Sequence, residues 1–381
     1  MLVIGCGPAG AAAARAAALK GAKTVVIEKN RTIGVPVRCA EGIGAYLLGK
    51  VPFRIPRNKF RWSIKGMRFY SDGLCLERTG SFWEGFTLDR DTFDQWLASL
   101  AAEAGAQILT ETNAVSAEMH GDIVRTIEAV SKDRKLTIAA KSVVAADGPS
   151  STMAEVMGFD VKRRNVGHVY SIEYSSAGCG NDHFEEIYLG DFTSVGYGYV
   201  FPKGGGVVNI GVGGEFDETR IRERFEEFVE MPGLRKKLAG ARQGIEKSGP
   251  CPLDGYPKAV KGNVILAGDA ANQNFKPFLE GVLPAVICGT MAGEVAAESN
   301  GMPERIAEFE NRLDASLGEL FAASDAAYAE MSRLFHSKVP IKHLLITGLS
   351  SGLLQLEELK SLEEVDATTL KKLLTARLNR G

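Results

Sequence analysis

The sequence holds six cysteines, Cys6, Cys39, Cys75, Cys179, Cys251 and Cys288, and no two of them form a CxxC pair. That absence argues against a structural zinc or an iron–sulfur ligand set, so no metal site is expected. Scattered thiols fit a reducing, cytoplasmic compartment. The chain also lacks an excess of either charge: 45 Lys and Arg stand against 47 Asp and Glu, leaving −2. Nothing in that balance would draw a nucleic acid. No uncharged apolar window reaches the length of about 18 residues that suggests a membrane-crossing helix. No leader is expected, because the first apolar stretch already belongs to the fold. Repeats and low-complexity linkers are absent. What is present is 381 residues, 45% hydrophobic and 24% charged, enough for two or three globular domains.

The informative stretch is the first 28 residues. Met1-Leu2-Val3-Ile4 is apolar, Gly5-Cys6-Gly7-Pro8-Ala9-Gly10 follows, then an alanine-rich run from Ala11 to Lys20, and Thr24-Val25-Val26-Ile27 ends in Glu28. The order strand, glycine turn, helix, strand and acid is the dinucleotide fingerprint. Gly5 permits the tight turn, Gly7 lets the backbone approach a pyrophosphate, and Gly10 lets the helix pack on the strand. Pro8 and Ala9 open the helix, whose amide N–H groups and positive dipole end suit phosphates. Glu28 accepts from ribose hydroxyls and repels a 2′-phosphate, so FAD or NAD is expected rather than NADP. Lys29 follows it.

Further along, residues 29–38 read as a loop, and Pro36-Val37-Arg38-Cys39-Ala40-Glu41-Gly42 sets a cysteine and an arginine where they can face a flavin ring. The alternative for Cys39 is a small buried residue in a helix start. A hairpin is expected around Ser71-Asp72-Gly73. Asp89 or Asp91 would cap a helix with an apolar stripe of Phe93, Trp96, Leu97 and Leu100. Arg90 at its start is placed for a phosphate or ring oxygen, or for solvent. Strands at 106–118, 122–130 and 135–146 form a meander with turns at Gly121-Asp122 and Ser131-Lys132-Asp133. The last of them runs into Asp147-Gly148. Residues 166–213 read as an antiparallel sheet, and Asp217–Leu238 as helical with a break at Pro232-Gly233. A buried strand ends in Gly268-Asp269, followed by a helix from about Val282 to Glu298 and further helices over 305–335. The apolar 343–354 run packs on the body or touches a membrane surface.

Three nucleotide signals, the fingerprint, Asp147-Gly148 and Gly268-Asp269, together resemble the glutathione-reductase-type FAD fold in its hydroxybenzoate-hydroxylase-like branch. Pro36–Gly42 is similar to the PxxCxxG element of archaeal geranylgeranyl reductases. Tyr197-Gly198-Tyr199-Val200-Phe201-Pro202, eight residues and Gly211-Val212-Gly213 resemble their YxWxFPx8GxG signature, with Tyr199 for the usual tryptophan. Leu88–Asp94 also resembles the family's equivalent segment. The resemblance covers roughly residues 1–300.

It implies an α/β fold: a Rossmann-type FAD-binding domain (1–52, 90–164 and 262–302), an inserted antiparallel-sheet substrate domain (53–89 and 165–261) and a C-terminal helical segment (303–381). It implies FAD held by Gly5, Gly7, Pro8, Ala9, Gly10, Glu28, Lys29, Arg38, Cys39, Ala40, Arg90, Asp147, Gly148, Gly268, Asp269, Gly281 and Val282. The helix after Asp269 would aim its N-terminus at the flavin pyrimidine, where negative charge develops on reduction. Between Asp269 and that helix the run 272–282 departs from the family pattern, because Leu279 adds bulk and Glu280 a carboxylate where small residues would meet the flavin. Tyr197, Tyr199, Phe201, Pro202 and Gly211 would line a lipid tunnel, although alternating aromatics also describe an ordinary sheet core. The implied reaction is saturation of geranylgeranyl chains by hydride from reduced flavin, with Cys39 as the catalytic proton donor beside the alkene and Arg38 orienting flavin or lipid phosphate. The electron donor would be ferredoxin, a reduced nicotinamide or a deazaflavin, and the enzyme cytoplasmic, either free or peripheral to the membrane. An electron-transfer dehydrogenase or quinone-reductase-like flavoprotein, a monooxygenase or halogenase, and a non-catalytic flavin or lipid binder are the alternatives.

Overall fold

The computed structural model describes residues 1–132, 134–161 and 166–379. Asp133 of the expected turn and the expected 164/165 boundary lie outside the described residues.

The first apolar run becomes the strand Leu2–Ile4, buried at every position, as a central parallel strand covered on both faces must be. It is flanked in parallel by Val25–Ile27 and Val143–Ala145. The six-stranded sheet runs 260–261, 264–266, 143–145, 2–4, 25–27, 107–109, and only its 260–261 edge strand is antiparallel. The helix Pro8–Leu19 buries its alanines. Against it lies the helix Val282–Ser299. A Cβ on Gly289 or Gly293 would strike the backbone of Ala9 or Ala13, so these glycines bring the two helices into backbone contact. Val282–Ser299 is also the one helix among the described residues long and apolar enough to cross a membrane, and 78% of it is buried inside the protein. It carries Glu294 and Glu298, so it is not the uncharged window sought in the sequence.

The meander is shorter than expected. Thr112–His120, Ile123–Ser131 and Arg134–Ala139 pair antiparallel, while 107–109 and 143–145 at its ends belong to the parallel sheet. The break near 111 is made by Glu111 at φ 52°, not by glycine or proline, which hides it from a reading of turn residues.

The second large sheet has seven strands in the order 242–252, 166–175, 207–214, 197–204, 184–188, 66–71, 74–79. The hairpin turns through Asp72 and Gly73 at φ 47° and 76°, both left-handed, which matches the twist of the strands it joins. Phe184–Tyr188 was not among the expected strands, and it pairs parallel with Gly66–Ser71, so the sheet is not wholly antiparallel. The hairpin comes from a much earlier part of the chain, and no tight turn ties its direction to its neighbour's.

One face of this sheet is covered by the helix Glu218–Val229, through Ile221, Phe225 and Phe228. The other face carries Phe69, Ile187, Tyr197, Tyr199 and Phe201, which meet Leu334, Leu344 and Leu345 of the C-terminal helices. The helix Lys342–Ser350 is thus packed on the body. In the helix Arg90–Glu103 the buried stripe is Phe93, Asp94, Leu97, Ala98 and Ala101, with Trp96 and Leu100 only half-buried. Neither aspartate caps it: Asp89 holds the N-cap position without a side-chain bond, and its carboxylate goes instead to Lys203, 2.9 Å away.

Candidate functional site

A cavity of about 640 Å³ lies between the carboxyl ends of the parallel strands and the Tyr197–Phe201 face of the seven-stranded sheet. At its first end, Gly5 turns at φ 90°, and any Cβ there would strike the carbonyl of Ala146. A Cβ on Gly7 would meet nothing within 4 Å. Gly7 caps the helix without a side-chain bond, so among the described residues the helix start has no side-chain cap. Buried Glu28 is held rigidly: its Oε2 accepts from the Cys6 N–H and its Oε1 from the Asn30 N–H, both at 2.8 Å. An open glycine cradle at a helix start and an anchored acid beside it fit the pyrophosphate and ribose of FAD. Pro8, Ala9 and Lys29 also line this end. Gly10 does not. It packs behind, where a Cβ would collide with the Gly5 carbonyl.

Asp147, Gly148, Gly268, Asp269, Gly281 and Val282 line the wall beside it. The Asp147 carboxylate accepts from the Ser151 hydroxyl and from the Met153 N–H at 3.1 Å, so it holds the next turn of chain. The 272–281 loop is braced from outside by the helix Glu319–Phe335: the Lys276 N–H donates to Ser324 Oγ (2.6 Å) and Lys276 Nζ to Asp325 (2.9 Å). Leu279 and Glu280 both reach the cavity. Glu280 accepts from the Gly44 N–H and the Tyr46 hydroxyl, each at 2.8 Å. Burial raises its pKa, and those two donors oppose the rise.

Residues 36–42 form a loop entering the short strand Gly42–Gly44, not a helix start. Arg38 lies exposed at the rim, its stem over Gly249, with Cys39 half-buried and Ala40 beside it. The Cys39 sulfur accepts from the Glu41 N–H at 3.2 Å. The Arg90 guanidinium adjoins the thiol and is clamped by Asp94 through two bonds of 2.8 Å. It is therefore not a solvated arginine, and it lines the cavity. Under this loop sits a charge network that the sequence did not disclose. Lys203 Nζ donates to Glu41 and Glu173, both at 2.6 Å, and Lys247 Nζ to the same two carboxylates. Burial raises the Glu173 pKa, but the two lysines outweigh it and hold that carboxyl below its ordinary value. Asn209 donates to the Ala40 carbonyl at 3.0 Å, fixing the loop from the sheet.

Tyr197, Tyr199 and Phe201 share the cavity face as period two requires, with ring centroids 6.1 and 4.7 Å apart along the row. Pro202 and Gly211 are not in the lining. The Pro202 carbonyl accepts from Thr87 Oγ1 at 3.0 Å, and Gly211 lies behind Tyr199, where a Cβ would strike the phenol. The sequence reading also missed Glu185, Met67 and the rim pair Phe82 and Trp83. Glu185 alternates with Ile187 on the Phe184–Tyr188 strand, and that period-two pattern was the available signal.

The comparisons agree with this geometry. Residues 1–157 match a family model described as FAD dependent oxidoreductase. The chain is 35% identical over 315 residues to a digeranylgeranylglycerophospholipid reductase of Methanosarcina mazei, covering 78% of this chain and 75% of the relative. It is 32% identical to the enzyme of that name from Methanocaldococcus jannaschii, with 82% and 81% covered. A crystal structure of a geranylgeranyl bacteriochlorophyll reductase-like protein from Thermoplasma acidophilum superposes with a TM-score of 0.82 at 25% identity, over 99% of this chain and 98% of that one.

Proposed function

Since the chain belongs to the digeranylgeranylglycerophospholipid reductase family of FAD-dependent oxidoreductases, we propose that it saturates the double bonds of geranylgeranyl chains in archaeal-type membrane lipids or their precursors. The observation that carries this reading is a single cavity with a glycine cradle at one end and a wall of Tyr197, Tyr199 and Phe201 at the other.

Bound FAD, once reduced, supplies the hydride that an alkene carbon accepts. The residues divide the remaining work. Gly5, Gly7 and the first amides of Pro8–Leu19 hold the pyrophosphate, and Glu28 the ribose. Asp269, Gly281 and Val282 serve the flavin end, with Asp147 and Gly148 beside them. The aromatic wall excludes water and seats the isoprenoid chain. Cys39 stands beside the reacting bond, and Arg38 at the rim takes a lipid phosphate. An isolated trisubstituted alkene is a poor hydride acceptor, so a proton must arrive with the hydride.

By this division residues 1–52, 90–164 and 262–302 form the cofactor domain, whose 36–42 loop and Phe278 also reach the lipid, and 53–89 with 165–261 form the lipid domain. The segment from 303 braces the 272–281 loop, which the Ser324 and Asp325 bonds support. Electrons come from a ferredoxin, a reduced nicotinamide or a deazaflavin. The protein works in the cytoplasm at the membrane surface, a reading supported by Phe82, 58% exposed, and Val35, 43% exposed, at the cavity rim.

The test is product mass. Anaerobically reduced protein given a geranylgeranyl glycerophospholipid should yield a lipid heavier by two hydrogens per bond reduced. Unchanged lipid after full reduction of the flavin would contradict the reading.

A further inference from the structure

Two glutamates stand side by side in the strand Phe184–Tyr188, and the alternation of a strand sends them to opposite faces. Glu186 faces away from the cavity and is fully engaged. Lys237 donates to both its oxygens, the Tyr188 hydroxyl donates at 2.6 Å, and Arg68 lies 3.9 Å away. Glu185 faces the cavity among Met67, Ile187, Tyr197 and Phe201. Its Oε1 has no hydrogen-bond partner among the described residues. Room for it is made by Gly42, where a Cβ would stand 2.8 Å from that oxygen. A carboxylate in such a place would be a buried unpaired charge, whereas a neutral carboxylic acid is tolerated.

The titratable groups turned toward this stretch are Glu280 on the 275–281 loop, Tyr197 and Tyr199 on the neighbouring strand, Cys251 at the end of the 242–252 strand, and Cys39 and Glu41 on the 36–42 segment. Arg68 and Glu186 point to the other face. Burial raises the Tyr199 phenol and pushes the Cys251 thiol up to about 12, and the others are engaged with partners. Glu41 is paired with Lys203 and Lys247. Glu280 already accepts from Gly44 and Tyr46. The Tyr197 hydroxyl donates to the Phe278 carbonyl at 2.6 Å, and burial drives its pKa well above the ordinary phenol value. The Cys39 sulfur accepts from the Glu41 N–H and adjoins the Arg90 guanidinium. The Tyr197 phenol feels both Glu185 and Cys39, so the acid and the thiol border the same part of the cavity.

We propose that Glu185 is the proton donor of the reduction, held neutral beside the isoprenoid chain by the apolar face of the seven-stranded sheet. This rests on the reduction reading of the same cavity. One alkene carbon takes the hydride of the reduced cofactor. The other takes the proton of the Glu185 carboxyl, whose O–H bond breaks as the C–H bond forms. The alkene is reduced by two electrons, the cofactor is oxidised by two, and Glu185 is left as a carboxylate that regains its proton from water. The electrostatics agree: burial, with Glu280 adding to it, pushes the Glu185 carboxyl up to about 8. It therefore carries its proton at neutral pH and sits near the working pH of a general acid.

Glu185→Gln keeps shape and neutrality but has no acidic proton. The variant should bind FAD normally and accept electrons at the parental rate. Its reoxidation by a geranylgeranyl lipid should slow by about 10²- to 10⁴-fold, the range for losing a general acid. Parental reoxidation by the variant overturns the proton assignment alone. A parental protein that the lipid cannot reoxidise overturns the reduction reading and the proposal with it. A second readout needs no turnover. A carboxyl raised from 4.5 to about 8 in the folded state gives stability that is complete below the unfolded value and is lost as pH rises through the folded one. The melting temperature of Glu185→Gln, measured against the parent, should therefore climb between about pH 5 and pH 8. A difference that stays flat across that window shows that Glu185 is not held neutral, and overturns the proposal.

Discussion

The two ends of the cavity are built in different ways. The cofactor end is made largely of backbone: a glycine turn, helix amides and one acid whose two oxygens are pinned by the N–H groups of Cys6 and Asn30. Its main parts lie within 28 consecutive residues. The lipid end is made of side chains drawn from distant segments: Met67, Glu185, the 197–201 aromatics and Phe278. Backbone at the first end fixes geometry for a pyrophosphate whose charge is constant. Side chains at the second form an apolar face, in which a single unpaired carboxyl becomes an acid. Glu185 and Glu186 repeat the contrast across one peptide bond: the same residue type is a salt-bridge partner behind the sheet and an unpartnered acid in front of it.

If the ends are separate devices, they should fail separately. The largest effect belongs to Gly7→Val, which fills the cradle and should leave the purified protein colourless. Stoichiometric flavin in that variant, read from the visible spectrum, would mean the pyrophosphate lies elsewhere. Tyr199→Ala at the other end should keep near-normal FAD while lipid-dependent reoxidation falls by on the order of 10- to 100-fold, as a misplaced substrate costs. Tyr199 is only 1% exposed. If it were purely a core residue, its loss would cost about 3–5 kcal/mol and the variant would lose fold and flavin together. The smallest effect separates the two acids. With Glu185 as donor, Cys39→Ser should slow alkene reduction by less than about 10-fold, and a fall of about 10²- to 10⁴-fold would return the proton to the thiol.

The cofactor end was legible because its chemistry is local. Spacing alone named Gly5, Gly7, Gly10 and Glu28: close backbone holds Gly5 and Gly10, two N–H groups hold Glu28, and Gly7 leaves the cradle open. The aromatic row was legible as a row, since period two puts Tyr197, Tyr199 and Phe201 on one face, but their neighbours were not. The Glu41–Lys203–Lys247–Glu173 network joins residues up to 206 positions apart, which no local pattern encodes. Glu185 was hidden because Phe184–Tyr188 is a short strand pairing in parallel with a segment more than a hundred residues earlier. Pro202 and Gly211, read as lining from the family signature they resemble, shape the wall from behind, because a motif records which residues recur and not which way they face. Asp94 was hidden for another reason: an acid on the buried stripe of a helix looks like an error of pattern until its clamp on Arg90 is seen.

The central claim is that both ends serve one reaction, and anaerobic reoxidation tests it most directly. The protein is reduced until its flavin is colourless and then mixed with a geranylgeranyl glycerophospholipid or with its fully saturated counterpart. The account predicts that the yellow colour returns with the unsaturated lipid at a rate that rises with lipid concentration, and stays absent with the saturated one. A flavin that remains reduced with both lipids, or reoxidises equally with both, would contradict it.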